Sequence, residues 1–144
     1  MLMANLQSDI SDVELKQRWR LYWIHTIFEF SNIKWQEVSW LHSKTSSFEE
    51  CISAYFDILA LDDAYKKALQ AKNVSDEEVQ NAQEFHKLIT FYIEPSDDAQ
   101  EILNDKEWQN VVRAAKDFWH YLKENVTSKR ERKLIDDLEK EFPF

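Results

Sequence analysis

At 144 residues, 44% apolar and 31% charged, the chain has the size and composition of one globular domain with a single core. It contains no glycine, which excludes the Gly-rich phosphate loops of the Walker and Rossmann kinds and the tight hairpin turns that need positive φ. The net charge of −9 is concentrated: residues 46–107 hold fifteen acidic and five basic side chains, against five of each in residues 1–45 and seven and eight in residues 108–144. Clustered Lys and Arg are missing from that acidic stretch, so direct nucleic-acid binding by its surface is disfavoured and a basic partner is the better match.

The helix starts are marked by serines. Ser11, Ser47, Ser75 and Ser128 are each followed three residues later by a glutamate, Glu14, Glu50, Glu78 and Glu131, the pattern of a capping box. Hydrophobic staples are expected between Ile10 and Leu15 and between Val74 and Val79. The first helix is predicted over residues 12–30, with Leu15, Trp19, Trp23, Ile27 and Phe30 recurring at helical period as its buried stripe. A shorter helix over 33–42 should turn Val38 and Leu41 inward, and residues 42–46 read as a loop. The third helix, 48–59, presents Phe48, Cys51, Ile52, Tyr55, Phe56 and Leu59 to the core.

Asp62 is placed to cap a fourth helix over 63–71, with Ala64, Tyr65, Ala68 and Leu69 inward and Asn73 as its left-handed C-terminal residue. The fifth runs over 76–93 through Val79, Ala82, Phe85, Leu88, Ile89 and Tyr92 until Pro95 stops it. Ser96 or Asp97 begins a short sixth helix ending near Leu103. Asp105 caps a long seventh over 106–125, lined by Trp108, Val111, Val112, Ala115, Phe118, Trp119 and Leu122. The last, 129–141, carries Leu134, Ile135 and Leu138, and Phe142 and Phe144 are expected to fold back onto the bundle. No segment alternates as a strand would. The reading is a single all-α domain over residues 1–144, an irregular bundle of about seven to eight helices.

The chemistry-bearing residues are sparse. His25, His42, His86 and His120 never fall at the spacing that puts two ligands on one helical turn, and no Glu-x-x-His pair exists; no metal and no cofactor are expected. Cys51, the sole cysteine, falls on an apolar face as an inert core thiol. The start of the chain lacks the pattern of a secretory signal, and no run approaches the roughly 20 apolar residues of a membrane span, so a cytoplasmic protein is expected. The basic run from Lys129 to Lys133 is accounted for by helix pairs Arg132–Asp136 and Lys133–Asp137. The acidic pairs sit at helix starts, where the helix dipole favours them. If consecutive helices pack antiparallel, Asp62–Asp63 and Asp97–Asp98 share one end of the bundle and the Asp76 cluster lies opposite. Trp35 and Trp40, five residues apart, cannot both face inward squarely.

The stretches Trp40-Leu41-His42, Ser46-Ser47-Phe48-Glu49-Glu50-Cys51, Tyr55-Phe56-Asp57 and Leu59-Ala60-Leu61, within an acidic helical domain, resemble the immunity proteins of bacterial contact-dependent growth inhibition and related polymorphic toxin systems. The resemblance implies a protein that is not an enzyme and that binds a cognate toxin domain, commonly a basic nuclease, blocking its active site with carboxylates. The contacts it implies are Asp62, Asp63, Asp76, Glu77, Glu78, Asp97, Asp98 and Glu101, with Tyr65 or Trp40 as aromatic anchors. Two other readings stay open: a helical adaptor or regulatory subunit, and a small enzyme using His42 or His86 with a nearby carboxylate as acid and base.

Overall fold

Each serine read as a helix start accepts a hydrogen bond from the backbone N–H three residues on: Glu14 to Ser11, Glu50 to Ser47 and Glu78 to Ser75 at 3.1 Å, and Glu131 to Ser128 at 3.3 Å. The computed structural model describes residues 10–61 and 64–144. Among them are eight α-helices and one π-helical turn: α1 Asp12–Ser31, α2 Ile33–Gln36, the π turn Glu37–His42, α3 Phe48–Ile58, α4 Lys66–Gln70, α5 Asp76–Phe91, α6 Ala99–Asn104, α7 Lys106–Asn125 and α8 Lys129–Glu141. No strand occurs among the described residues, and no helix there is long and apolar enough to cross a membrane.

The full capping box closes only at Ser75, whose own N–H donates to Glu78 at 2.9 Å. At Ser47 the glutamate accepts from the serine hydroxyl at 3.3 Å instead, and at the other two starts it is drawn away by arginines. Glu14 accepts from Arg18 and Arg130, and Glu131 from Arg20. The staple at Val74 and Val79 has both residues buried, but Ile10 and Leu15 are exposed, so the staple expected at α1 does not form.

Helix α1 is the axis of the molecule, packing against α3, α7 and α8, while α5 lies on α7. Its second half is buried on nearly all sides, with Trp23, Ile24, Ile27, Phe28 and Phe30 fully enclosed, so a one-sided stripe understated its centrality. Helix α8 runs parallel to α1: Arg130 meets Glu14, Ser128 meets Gln17, and the Phe142 and Phe144 rings reach Phe28 at centroid distances of 6.4 and 6.1 Å. The tail therefore packs back as expected. Trp119 Nε1 and Lys123 both donate to Glu139 at 2.7 Å, fastening α7 to α8. Lys133 and Asp137 pair at 2.9 Å, but Arg132 donates to the Lys123 carbonyl instead of pairing with Asp136.

Beyond Gln36 the expected second helix widens into a π turn. The extra residue per turn shifts the register, so Ser39 and Trp40 are buried where Val38 and Leu41 were expected, and those two are only half-buried. Gln36 is enclosed and bridges elements: its amide donates to the Glu29 and Phe30 carbonyls and its oxygen accepts from Trp108 Nε1 at 3.0 Å.

The missing glycines are replaced by strain. Lys44, Ala60, Leu61, Tyr65 and Lys72 adopt φ between 54 and 60°. Helix α3 ends in a Schellman motif, with Ala60 N–H to Asp57 O and Leu61 N–H to Phe56 O; α4 ends the same way, with Lys72 N–H to Leu69 O and Asn73 N–H to Ala68 O. Lys72, not Asn73, holds the left-handed position, because the six-to-one bond already commits Asn73 to the residue beyond it.

One guanidinium joins three helices. Arg20 of α1 donates to both oxygens of Glu78 on α5 at 2.9 and 2.7 Å, to both oxygens of Glu131 on α8 at 3.0 and 2.9 Å, and to the Asn73 carbonyl at 2.8 Å. Burial works against its charge, but the hydrogen bonds to Glu78 and Glu131 outweigh it and hold the pKa above its ordinary value.

Replacing Ala60 or Lys72 with glycine should stabilise the fold by about 0.5–1 kcal/mol each, the left-handed penalty less the glycine entropy cost. Thermal unfolding should show this as a rise of about 2–4 °C per kcal/mol. Arg20→Met, which strands two carboxylates with side-chain exposures of 13% and 4%, should cost about 3–5 kcal/mol in urea unfolding.

Candidate functional site

Helix α5 buries Val79, Ala82, Phe85, His86 and Ile89, and it ends at Phe91 rather than near 93. Tyr92 turns to an extended conformation, φ −66° and ψ 133°, because its ring packs on Trp108 at 5.1 Å and Phe48 at 5.9 Å and its hydroxyl donates to Asp105 at 2.8 Å. That bond occupies Asp105, which makes no side-chain cap on α7. With Tyr92 drawn inward, Phe91 and Ile93 on either side are 75% and 80% exposed.

The chain then builds a short acidic turn. Ser96 donates to Glu101 at 2.8 Å and accepts from the Asp98 N–H at 3.0 Å, and the Asp98 carboxylate accepts from Gln100 N–H at 2.8 Å as the N-cap of α6. Helix α6 thus begins at Ala99, a turn later than Ser96 or Asp97 implied. Between this turn and the start of α3 lies a cavity of about 590 Å³. Its wall is Trp40, Leu41, Phe48 and Ile102; its rim carries Glu49, Glu94, Asp97 and Asp98 against the single ammonium of Lys44. The aromatic wall is rigid, with Trp40, Phe48 and Trp108 within 6.1 Å of one another by ring centroid.

The expected contact residues divide. Asp62 and Asp63 lie outside the described residues. Asp97, Asp98 and Glu101 gather at the acidic turn, whereas Asp76 and Glu77 stand at the other end of α5, about 24 Å away for a helix of 16 residues. Among the described residues none of these five has an ion pair. Glu78 is different: it is bound to Arg20 and unavailable as a surface contact. Tyr65 and Trp40 are 1% and 5% exposed and cannot serve as anchors. Tyr65 is held by Trp23 Nε1 at 3.0 Å and Tyr55 at 2.9 Å, and Trp40 is turned into the core by the π register. The exposed large side chains at this end are Phe91 and Ile93. The signal for Phe91 was in the sequence, since it falls off the stripe that Phe85, Leu88, Ile89 and Tyr92 define.

Of the histidines weighed for acid–base work, His42 is exposed on the π turn, and His86 is buried with Nδ1 2.8 Å from the Tyr55 hydroxyl. A second, smaller cavity of about 260 Å³ brings His25, Glu29, Ser46 and Cys51 together, with His25 Nδ1 3.2 Å from Glu29. The thiol there is not activated: burial, with the Glu29 charge next, pushes its pKa up to about 12. Among the described residues no group of three or more His, Cys, Asp or Glu side chains is arranged to hold a metal ion.

Comparison of the chain with protein-family models, with curated proteins and with solved structures produced no match.

Burial also pushes the Tyr65 hydroxyl up to about 12 and Tyr55 well above its usual value. The folded state therefore keeps protons that the unfolded chain releases, beginning near the ordinary thiol value of 9.0. Stability should be level up to that pH and then fall toward pH 12 by about 1.4 kcal/mol per pH unit for each such group. Urea unfolding across the alkaline range tests this, and Cys51→Ala should remove the earliest part of the decline.

Proposed function

We propose that the protein is a binding protein that takes up a basic protein partner at its acidic end, and that the partner is a toxin domain neutralised in the manner of immunity proteins. One observation carries the reading: two almost fully exposed apolar side chains, Phe91 and Ile93, immediately precede Glu94, which with Glu49, Asp97 and Asp98 rims the cavity. Isolated exposed apolar residues are common. An apolar pair beside a carboxylate rim, by contrast, is the makeup of a contact with a basic surface, where apolar side chains supply the desolvated centre and the charges set approach rate and register. The rigid aromatic wall behind the cavity supports it further, because a preformed surface loses little freedom on binding. The excess of acid over base in residues 46–107 adds long-range attraction for the same kind of partner. The setting is cytoplasmic, where a toxin that has entered a cell would be met.

The test is co-expression with the product of the adjacent open reading frame, followed by a toxicity-rescue assay and titration of the purified pair. Glu94→Lys with Asp97→Lys, or Phe91→Glu, should abolish rescue and weaken binding by about 2–5 kcal/mol. Asp76→Lys with Glu77→Lys, at the far end of α5, should leave both unchanged. Equal binding by all three variants would overturn the proposed surface, and tight binding of a basic partner without any rescue would favour the adaptor reading.

A further inference from the structure

Beyond that reading, a groove of about 690 Å³ runs between the parallel helices α1 and α8. Its floor is Leu21, Tyr22 and Leu134, and Tyr22 is 54% exposed. Arg18, Arg130 and Lys133 stand along it with side chains 58%, 52% and 77% exposed. Two carboxylates answer these three cations: Glu14, shared by both arginines, and Asp137, paired with Lys133. The groove is thus positive on a chain whose net charge is −9. The acidic end has the opposite balance and its own unpartnered apolar pair, Phe91 and Ile93.

The two surfaces cannot meet within one molecule. Glu78 is bonded to Arg20, close to the groove, and the thirteen residues of α5 from there to Phe91 set the acidic end about 20 Å away. Between two molecules nothing separates them. We propose that the groove between α1 and α8 receives the Phe91-to-Asp98 segment of a second copy of this chain. Ile93 and Phe91 would cover Tyr22 and Leu134, and Glu94 and Asp97 would meet Arg18, Arg130 and Lys133. The three intramolecular pairs that these cations give up are surface pairs, worth little each, so the exchange is close to neutral and the apolar contact drives it. The contact joins two different surfaces, so it is heterologous, and copies add head to tail instead of closing as a symmetric pair. When a basic partner occupies the acidic end, the same contact is blocked.

Sedimentation of the full chain alone tests this, without any toxin, so its outcome is independent of the function proposed above. At low salt, about 50 mM, the mass should rise with protein concentration past the dimer, and at about 500 mM the rise should shrink as the charges are screened. Tyr22→Glu with Lys133→Glu destroys the groove, and Ile93→Lys with Asp97→Lys destroys the segment; all four positions are exposed, and circular dichroism checks that each variant is folded. Each variant alone should be monomeric, and their equimolar mixture should form a dimer and stop there, having one intact groove and one intact segment. A wild-type chain that stays monomeric, a dimer that stops at two copies and survives both double substitutions, or a mixture that fails to pair would overturn the proposal.

Discussion

The Arg20 guanidinium is the constraint on which the arrangement of the long helices depends. All five of its N–H donors are engaged, four on the carboxylates of Glu78 and Glu131 and one on the Asn73 carbonyl, and its face lies over the Trp23 ring at 5.5 Å. Apolar packing alone would allow α5 to slide along α7 and α8 along α1, since one leucine-sized contact resembles the next. A planar fork with two bidentate partners does not slide. It therefore fixes the start of α5, and a straight helix from that point delivers Phe91 and the acidic turn to the opposite end of the molecule. Two carboxylates on one cation leave this junction one charge negative, which Gln17 eases by donating to Glu131 at 2.9 Å.

A chain without glycine has to end its helices by other means, and it does so with Ala60 and Lys72 in left-handed geometry and with extended residues at Asn32, Tyr92 and Val126. The first kind costs conformational energy, on the order of 1–2 kcal/mol per residue. The second costs little but needs something to hold the chain extended. At Tyr92 the aromatic wall does this, and the outward placement of Phe91 and Ile93 follows from it. The candidate site is in this sense a by-product of how α5 is stopped.

What could be read from the sequence was local. Ser47 and Ser128 mark their helices because a cap needs only residues within one turn, and α7 and α8 begin and end where their periodicity does. The failures were those that depend on distant partners. Nothing near Glu78 announces that its partner is 58 positions away, so it was counted as surface charge. Tyr65 was placed inward as part of a helix and also offered as an anchor, and only its bonds to Trp23 and Tyr55 decide between the two. Trp40 turned inward because of the π register, which a period of 3.6 cannot foresee. At the acidic turn, Asp97 and Asp98 were legible as charges, while the apolar half of the surface was visible only as a residue out of phase.

The wide turn at Glu37–His42 has a bearing on how such a sequence can vary. A π turn holds one residue more than the α-helical path between the same two points. Removing a residue of the turn ahead of Trp40 would restore the ordinary pitch between those points and displace Trp40 by about 100° around the helix axis. Trp40 would swing away from the Phe48 and Trp108 rings and out of the aromatic wall. This stretch can therefore absorb exchanges of side chain far more readily than the loss of a single residue, and its length is the inherited quantity.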